Sequence, residues 1–464
     1  MSDNNIPARP EGGFNDFDEV SAKQWKQKIQ YDLKGADYNE TLVWQSPEGI
    51  NVKPFYHKDD FSQDFSSIPG QPESWNIAQE IFIDEEAIAN KITLNALKRG
   101  AESIIFKAEK EFDIQAVFKD FPFSENSIYF DLRFLSEDFY VKLIEFLSSN
   151  KANVFYNIDI VGNLARTGNW FHNLKMDHEI LNSIMGRNPT LHILGIDASI
   201  YQNAGANVVQ QLAYALSHAN EYLNVISKHP KQSSSLTFKL AIGSNYFFEI
   251  AKIRALRKLY AVLAKEYGVE ENCHITAIPS NRNKTLYDYN VNLLRTTNEC
   301  MSAILGGANT ICNLPYDSLY HKSNEFGQRI SRNQLLILKH ESYLDAVSNP
   351  ADGTYYIESL TDELAKKALD IFKEIEKGGG FLKQLKEGSI QRKIRETAEK
   401  EQHAFDTQEL KLLGTNYHIN PNDRMKNDLE LFPFQKKNPV KTILEPILEK
   451  RLAENTEMER LNQE

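Results

Sequence analysis

The sequence predicts an α/β protein, a (β/α)8 TIM-type barrel with an extended N-terminal arm and a C-terminal helical region. Short runs of β-branched and aromatic residues alternate with longer segments of helical periodicity, which implies right-handed crossovers and a parallel sheet. The alternation spans about 255 residues, close to the typical length of an eight-fold barrel. No glycine-rich nucleotide loop follows the first run, which favours a closed barrel over an open sheet.

Seven runs are predicted as strands, and a possible eighth lies near the end of the alternating region. The seven cover residues 103–106, 127–132, 152–160, 191–198, 236–242, 273–278 and 309–313, and the eighth covers 348–357. The helices expected between them cover residues 136–147, 206–226, 247–267, 288–305 and 323–342. A doubly wound open sheet also fits this alternation. It would carry Gly-x-Gly-x-x-Gly or Gly-x4-Gly-Lys-Ser/Thr, and the sequence contains neither in the required place.

The flanks differ from the middle, so we predict an arm over residues 1–75, the barrel over 76–360 and a helical extension over 361–464. The arm is mostly polar, with spaced apolar anchors that need a surface to bury against. We take five of them as candidate residues of a subunit interface: Trp25, Leu33, Tyr38, Trp44 and Tyr56. Helices are expected in the extension over 361–377, closed by Gly378-Gly379-Gly380, and then over 381–386, 390–405 and 442–461.

Composition excludes several classes of function. The 464 residues include 53 Lys+Arg and 64 Asp+Glu, a net charge of −11, which gives no basic footprint for nucleic acid. No apolar stretch approaches the roughly 20 residues of a membrane-spanning helix, and residues 1–13 do not resemble a secretory signal. Three cysteines, Cys273, Cys300 and Cys312, match no metal or disulfide pattern. We therefore expect a cytoplasmic protein that binds neither nucleic acid nor membrane.

Candidate catalytic groups are sparse at the expected strand ends, where barrel enzymes place their chemistry. Asp197 and Asp317 follow two runs, but nothing in the sequence brings them together. His172, His178 and His340 match no His-x3-His or His-Glu-x2-His motif. No Gly-x-Ser-x-Gly elbow is present. We predict no catalytic residue, cofactor-binding residue or metal ligand in this chain.

Several stretches, in consistent order from about residue 23 to 426, resemble the methylmalonyl-CoA mutases. They include Lys26-x-Lys28-Ile29-Gln30-x2-Leu33-Lys34-Gly35, Thr41-Leu42-x-Trp44, Glu48-Gly49-Ile50-x-Val52-Lys53-Pro54-x-Tyr56, Gln202-x-Ala204-Gly205-Ala206, Phe247-Phe248-Glu249-Ile250-Ala251-Lys252-x-Arg254-Ala255, Asn292-x2-Arg295-Thr296, Arg329-Ile330-x-Arg332-Asn333, Glu341-Ser342, Asp352-Gly353-x-Tyr355-Tyr356-Ile357-Glu358 and Glu376-Lys377-x-Gly379-Gly380. The resemblance implies a substrate barrel whose interior admits an acyl-CoA thioester. In the family a separate C-terminal domain carries the cobalamin.

The sequence departs from the family pattern at three catalytic stretches. Ser199 and Ile200 occupy the places of a Tyr-His pair whose histidine lies near the thioester carbonyl, and isoleucine donates no hydrogen bond. Thr276 occupies the place of another histidine, in the segment 274–282. The family's Arg-Gly-x-Tyr-x-Thr-Met-Tyr stretch is missing between Gly70 and Trp75. Arg166 is the candidate to replace the arginine that binds the substrate carboxylate.

The resemblance and these departures imply the small, non-catalytic subunit of a heterodimeric methylmalonyl-CoA mutase. No Asp-x-His-x2-Gly cobalamin motif is present, and about 100 helical residues follow the predicted barrel. The partner, a large subunit, would then bind adenosylcobalamin and interconvert methylmalonyl-CoA and succinyl-CoA, and this chain would bind no cofactor.

Two enzyme alternatives stay open. The chain would be an active acyl-CoA mutase, either on its own or with a separate chain that supplies the cobalamin. An unrelated barrel enzyme such as an aldolase needs a reactive lysine or a metal at the strand ends, and Lys107 is its only candidate.

Overall fold

The computed structural model describes residues 18–62, 65–188, 190–227, 235–435 and 440–464. The chain divides into two compact units, residues 1–66 and residues 67–464. Each unit is described by itself.

In the N-terminal unit, the described residues form two helices and a short hairpin. Helix α1 (Ala22–Asp32) begins with a capping box between Ser21 and Gln24, and α2 (Tyr38–Leu42) is capped by Asp37. Strands β1 (Trp44–Gln45) and β2 (Asn51–Val52) pair antiparallel, and a 3-10 turn covers Lys58–Asp60. Of the predicted interface residues, Trp25 and Trp44 are exposed, Leu33 and Tyr56 are half-buried, and Tyr38 is buried.

Eight parallel strands close into a barrel in the second unit, which confirms the predicted fold class. The strands are β3 (Asn76–Phe82), β4 (Ser103–Ala108), β5 (Ser127–Leu132), β6 (Asn153–Ile158), β7 (His192–Asp197), β8 (Thr237–Ile242), β9 (His274–Pro279) and β10 (Thr310–Cys312). Neighbours in sequence are neighbours in the sheet, and β10 pairs with both β9 and β3 to close it.

Helices connect the strands and cover the outside of the barrel. They are α3 (Glu86–Lys98), α4 (Ile114–Val117), α5 (Glu137–Ser149), α6 (Ile160–Thr167), α7 (Leu174–Arg187), α8 (Ser199–Asn203), α9 (Val208–Ile226), α10 (Tyr246–Tyr267), α11 (Val291–Gly306) and α12 (Glu325–Leu336), which continues as a π turn over Ile337–Glu341. Among the described residues, no helix has the length and apolarity needed to cross a bilayer.

The prediction of a strand at 348–357 was wrong. That segment is a series of turns that runs into helix α13 (Tyr355–Lys377). Pro350 has no amide to donate, and Gly353 has a φ of +74°. The missing strand is β3, whose sequence carries Gln79 and Glu80 in the middle of an apolar run.

Three further helices follow α13, namely α14 (Phe381–Lys386), α15 (Ser389–Asp406) and α16 (Glu454–Gln463). The prediction of one helix over 442–461 was wrong in its first half, because helix begins only at Glu454. Residues 440–453, which we call the strap, contain Pro446. The amides of Ile443, Ile447 and Lys450 donate to carbonyls of barrel loops instead of to the strap itself.

Candidate functional site at the barrel mouth

Charged side chains gather at the carboxyl ends of the strands, the end where barrel enzymes carry their active sites. We call this set the mouth ring. Most of its members lie on strands, where side chains alternate between the barrel interior and its outer face. The mouth ring comprises Glu80 on β3, Lys107 on β4, Asp131 on β5, Arg133 after β5, Arg166 on α6, Asp197 on β7 and Lys239 on β8.

Ion pairs connect the members of the mouth ring. Asp131 Oδ2 lies 2.8 Å from Arg133 Nη2 and 3.0 Å from Lys239 Nζ. Asp197 Oδ2 lies 2.6 Å from Arg166 Nη2 and 3.5 Å from Lys239 Nζ. Lys239 therefore bridges two carboxylates, and Arg166 is engaged by a carboxylate of this chain.

The electrostatics of the mouth ring favour its ionised state. Burial alone would lower the pKa of Lys239, but the carboxylates of Asp131 and Asp197 outweigh burial and raise it. Burial alone would raise the pKa of Asp131, but Lys239 and Arg133 outweigh burial and hold it well below its usual range. Lys239 is thus held as an ammonium group between two carboxylates, which disfavours a role as an amine nucleophile.

Below the mouth ring, four rings fill the barrel axis. We call this set the aromatic floor: Tyr129, Phe155, His192 and His274. The ring of Phe155 stacks on Tyr129 at 4.6 Å and on His192 at 4.6 Å, and lies 4.2 Å from His274. Tyr129 on β5 hydrogen-bonds His274 Nε2 on β9 at 3.0 Å, so this contact crosses the axis between strands that are not neighbours.

Burial governs the charge of the aromatic floor. It lowers the pKa of His274 to about 3, with smaller contributions from Arg257 and His192. The floor is therefore neutral at pH 7 and is held by stacking and by the hydroxyl of Tyr129, which also hydrogen-bonds Thr310 Oγ1 at 2.8 Å.

A small cavity lies among these residues. It leaves about 50 Å³ for the centres of water-sized molecules, which is room for a few waters. Its lining includes Asn157, Thr237 and Thr276, and the Oδ1 atom of Asn157 and the two threonine hydroxyls have no protein hydrogen-bond partner. Buried polar groups of this kind are usually satisfied by water.

Asp159, which follows β6, connects α6, α9 and the end of β7 through hydrogen bonds. Its Oδ1 atom accepts hydrogen bonds from the amide of Gly162 at 2.7 Å and from the hydroxyl of Tyr222 at 2.6 Å, and lies 2.9 Å from His218 Nε2. Its Oδ2 atom accepts from the amide of Asp197 at 2.8 Å. Asp159 thus fixes the position of Asp197 relative to β6.

The strap crosses the mouth. Ile443 and Leu444 donate backbone hydrogen bonds to Gly168, Ile447 donates to Ala165, and Lys450 donates to Asn203. These acceptors lie at the ends of the helices that follow β6 and β7. Leu452 donates to Arg282, after β9, so the strap contacts three sides of the opening.

The residues singled out from the sequence fall into separate environments. Ile200 is fully buried, and the hydroxyl of Ser199 donates to Asp197. Lys107 pairs with Glu80 at 3.3 Å. Asp317 is bound by Asn324 and His321, apart from the network of Asp197. His172 contacts the carboxylate of Asp177, and His178 contacts the carbonyl of Leu174. Within the described residues no cluster of metal-ligating side chains occurs.

The sequence analysis missed most of the mouth ring, including Asp131, Arg133 and Lys239, as well as Asp159. One signal was available, since Asp131 and Lys239 are single charges inside otherwise apolar strands. In a barrel, such a charge on the inward face needs a partner from another strand.

Comparison with known proteins identifies the family. The family model described as methylmalonyl-CoA mutase matches residues 143–459, more than half of the chain. The chain belongs to this family. The methylmalonyl-CoA mutase small subunit of Porphyromonas gingivalis is 33% identical over 444 residues, covering 88% of this chain and 71% of the relative.

Two further relatives fit the same assignment. The methylmalonyl-CoA mutase of Rhizobium meliloti is 26% identical, covering 89% of this chain and 66% of its own length. The methylmalonyl-CoA mutase small subunit of Streptomyces virginiae is 28% identical, covering 84% and 69%. The chain thus spans about two thirds of the length of these relatives.

Proposed function

We propose that this chain is the small, structural subunit of a heterodimeric methylmalonyl-CoA mutase. The large subunit carries out the interconversion of methylmalonyl-CoA and succinyl-CoA and binds the adenosylcobalamin. This chain supports the large subunit by association and contributes no catalytic group. The names of the Porphyromonas and Streptomyces relatives support a small-subunit role.

One observation carries the proposal, namely that side chains of this chain fill its barrel axis. The family resemblance implies an interior that admits an acyl-CoA thioester. Here the aromatic floor closes one level of the axis and the mouth ring closes the next. The remaining space suits a few waters, whereas ligand sites typically offer about 300 Å³ or more.

The surroundings of the mouth also disfavour a CoA ester. An open groove beside the cavity shares Arg133 and Phe171 with it. Four carboxylates line this groove and outnumber its two cations, Lys110 and Arg133; they are Glu109, Glu111, Glu137 and Asp138. Coenzyme A carries several phosphate charges, so an acidic approach repels it.

Two groups that the resemblance assigns to the reaction are replaced or engaged at the same place. The position of the family histidine is Ile200, which is fully buried and whose side chain donates no hydrogen bond. Arg166 lies 2.6 Å from Asp197 and is therefore committed to a carboxylate of this chain. A substrate carboxylate would have to displace that pair.

The residues of the mouth do not fit a cobalamin. The strap lies over the side of the opening that β6, β7 and β9 form. His218, behind the mouth, contacts Tyr201 through Nδ1 and Asp159 through Nε2, which leaves no ring nitrogen for a cobalt. We therefore assign the cofactor to the partner and derive no step through it in this chain.

We propose that Trp25 and Trp44 of the N-terminal unit contribute to the interface with the large subunit. Trp25 and Trp44 are 49% and 48% exposed. Exposed tryptophans are costly on a free surface and are among the strongest contributors at protein interfaces. Leu33 and Tyr56, which are half-buried, complete the proposed set, whereas Tyr38 is buried in this chain and would support the interface only indirectly.

Co-expression with the large subunit from the same organism tests the proposal. We expect the two chains to co-purify as a 1:1 complex, with turnover of methylmalonyl-CoA by the complex and none by this chain with added adenosylcobalamin. Turnover by this chain together with only a separate cobalamin-binding chain would instead favour an active mutase.

A paired substitution tests the interface residues. We expect Trp25→Ala with Trp44→Ala to weaken binding to the large subunit by about 2 kcal/mol or more, roughly thirtyfold in Kd. Tyr31→Ala is the matched control, because Tyr31 lies on α1 and is 80% exposed but is outside the proposed set. Equal effects of the two variants in a titration would contradict the assignment.

A further inference from the structure

The strap is attached to the mouth in an unusual way. Its backbone forms no helix or strand, and its amides hydrogen-bond to loops after β6, β7 and β9. Leu444 and Ile447 are buried, and so are Arg451, Leu452 and Ala453 at the C-terminal end of the strap, whereas Ile443 and Leu448 are 66% and 48% exposed. Residues 440–450 of the strap bury only two side chains and pair with no strand, so this part opens at a lower free energy than the barrel, whereas residues 451–453 anchor its C-terminal end.

Glu449 lies in the strap between two of its backbone anchors. It is bracketed by Ile447, bound to Ala165 at 2.7 Å, and by Lys450, bound to Asn203 at 3.0 Å. These two contacts fix its position between the loops after β6 and β7. Its carboxyl interacts electrostatically with Asp197, Lys239, Lys107 and Arg133 of the mouth ring.

We propose that the strap is a lid that opens without unfolding of the barrel, and that the carboxyl group of Glu449 sets how readily it opens. The lid controls access of solvent and small molecules to the mouth ring and its cavity. This inference goes beyond the proposed function and holds whether or not a large subunit binds.

The charges around Glu449 determine the sign of its effect. The mouth ring presents the carboxylates of Glu80, Asp131 and Asp197 and the cations Lys107, Arg133, Arg166 and Lys239, and the strap itself adds Lys450 and the ion pair of Glu445 with Arg395. Burial and Asp197 together outweigh the cations and raise the pKa of Glu449.

A carboxyl with a raised pKa in the closed state stabilises that state while it is protonated. The contribution is fully present below the pKa of the open state and is lost as pH rises through the higher pKa of the closed state. The lid therefore opens more readily as pH rises through this window.

A glycine beneath the strap offers a way to force the lid open. Gly168 has a φ of +77°, and a Cβ there would lie 2.5 Å from the carbonyl oxygen of Leu444 and 2.8 Å from Thr442 Cβ. Gly268 also ends a helix, with a φ of +66°, and a Cβ there would meet nothing within 4 Å. Gly168→Ala and Gly268→Ala carry similar backbone strain, but only the first pushes on the strap.

Hydrogen exchange followed by mass spectrometry measures the opening. We expect peptides over 440–453 of the full chain to exchange well before peptides of the barrel strands. We also expect Gly168→Ala to raise strap opening about tenfold or more relative to Gly268→Ala, with the strands of both variants alike. The lid is refuted if the strap exchanges only together with the strands, or if the two variants protect the strap equally.

The second variant pair tests Glu449 and does not depend on the folding of Gly168→Ala. Glu449→Gln imitates the protonated carboxyl, so we expect strap protection factors, corrected for intrinsic exchange, to lose the fall with rising pH seen in the parent. Glu445→Gln, which removes an exposed carboxylate of the same strap, should keep that fall. A Glu449→Gln protein that retains the parent's pH dependence would overturn the role of Glu449.

Discussion

The aromatic floor and the mouth ring lie on successive levels of the same barrel and fill its axis by opposite means. Tyr129 of the floor and Asp131 of the ring are two residues apart on β5 and face the same interior. The floor is neutral and is held by stacking around Phe155. The mouth ring is ionised and is held by two carboxylates, Asp131 and Asp197, that share Lys239. One level depends on shape, and the other depends on charge balance.

The aromatic floor and the mouth ring therefore restrict entry to the barrel interior by different physical means. Stacked rings exclude a chain-like ligand by occupying its volume. Ion pairs exclude it by demanding that buried charges be separated, which costs several kcal/mol per ion. Under the proposed function, either level would hinder an acyl-CoA, and the cavity among these residues has room for a few waters.

The largest expected effect comes from removing the centre of the floor. Phe155→Ala deletes the ring that contacts Tyr129, His192 and His274, so we expect the free energy of unfolding to fall by about 4 kcal/mol. Urea denaturation measures it. Phe82→Ala is the control, because Phe82 is 48% exposed at the end of β3, and its effect should stay within about 0.5 kcal/mol. A loss below about 1 kcal/mol for Phe155→Ala would show that the stacking does not support the barrel.

Within the mouth ring, we expect the largest loss of stability from replacing Lys239. Lys239→Met keeps the length of the side chain but leaves Asp131 and Asp197 without their shared cation, so we expect a loss of about 3 kcal/mol in unfolding free energy. Lys107→Met removes a cation from a more exposed pair with Glu80 and should cost about 1 kcal/mol or less. Equal losses of unfolding free energy for the two lysines would contradict the claim that Lys239 contributes most to the charge balance of the mouth ring.

A smaller effect is expected behind the mouth. In Asp159→Asn an amide replaces one carboxylate oxygen that accepts hydrogen bonds, so we expect a loss of about 2 kcal/mol. Asp113 caps α4 with the same side chain in an exposed position, and asparagine caps helices as well as aspartate does. Asp113→Asn should therefore leave the urea midpoint unchanged, and an equal shift in both variants would refute the special position of Asp159.

The contributions of the aromatic floor and the mouth ring to stability should also be lost over different pH ranges. The pKa of His274 is lowered to about 3, below an unfolded value of about 6.5. The unfolded chain thus binds the proton first, and stability falls as pH drops from about 6.5 toward 3. Asp131 has a lowered pKa, so its contribution is lost only as pH falls below the ordinary range of about 4.

His274→Gln isolates the contribution of the floor to this titration. Between pH 6.5 and 4.5 we expect the parent to lose about 1–2 kcal/mol more stability than His274→Gln, as measured by urea unfolding at each pH. Parallel pH profiles for the two proteins would mean that His274 takes up its proton without disturbing the floor.

The sequence was sufficient to predict the barrel but not its exact strands. Periodicity found seven of the eight, because their apolar runs reflect burial on both faces. It missed β3, where Gln79 faces Arg332 and Glu80 faces Lys107, and both polar residues interrupt the run. It also extended a helix through the strap, since local periodicity cannot register that the amides bind distant carbonyls.

The candidate site was harder to predict because its contacts are non-local. The replacement of a family histidine by Ile200 is visible in the sequence. The pairing of Arg166 with Asp197 across 31 residues, and of Lys239 with Asp131 across 108, is not. The charges were visible one at a time, whereas their neutralisation required the closed barrel.

The central claim is that this barrel supports a mutase without taking part in its chemistry. The most direct test is steady-state turnover of methylmalonyl-CoA by the complex of this chain with its large subunit, with Thr276→Val introduced into the cavity of this chain. We predict an unchanged kcat and KM, because no substrate reaches that cavity. A marked loss of kcat or rise in KM, with the complex still intact, would show that this barrel binds the substrate and would contradict the account.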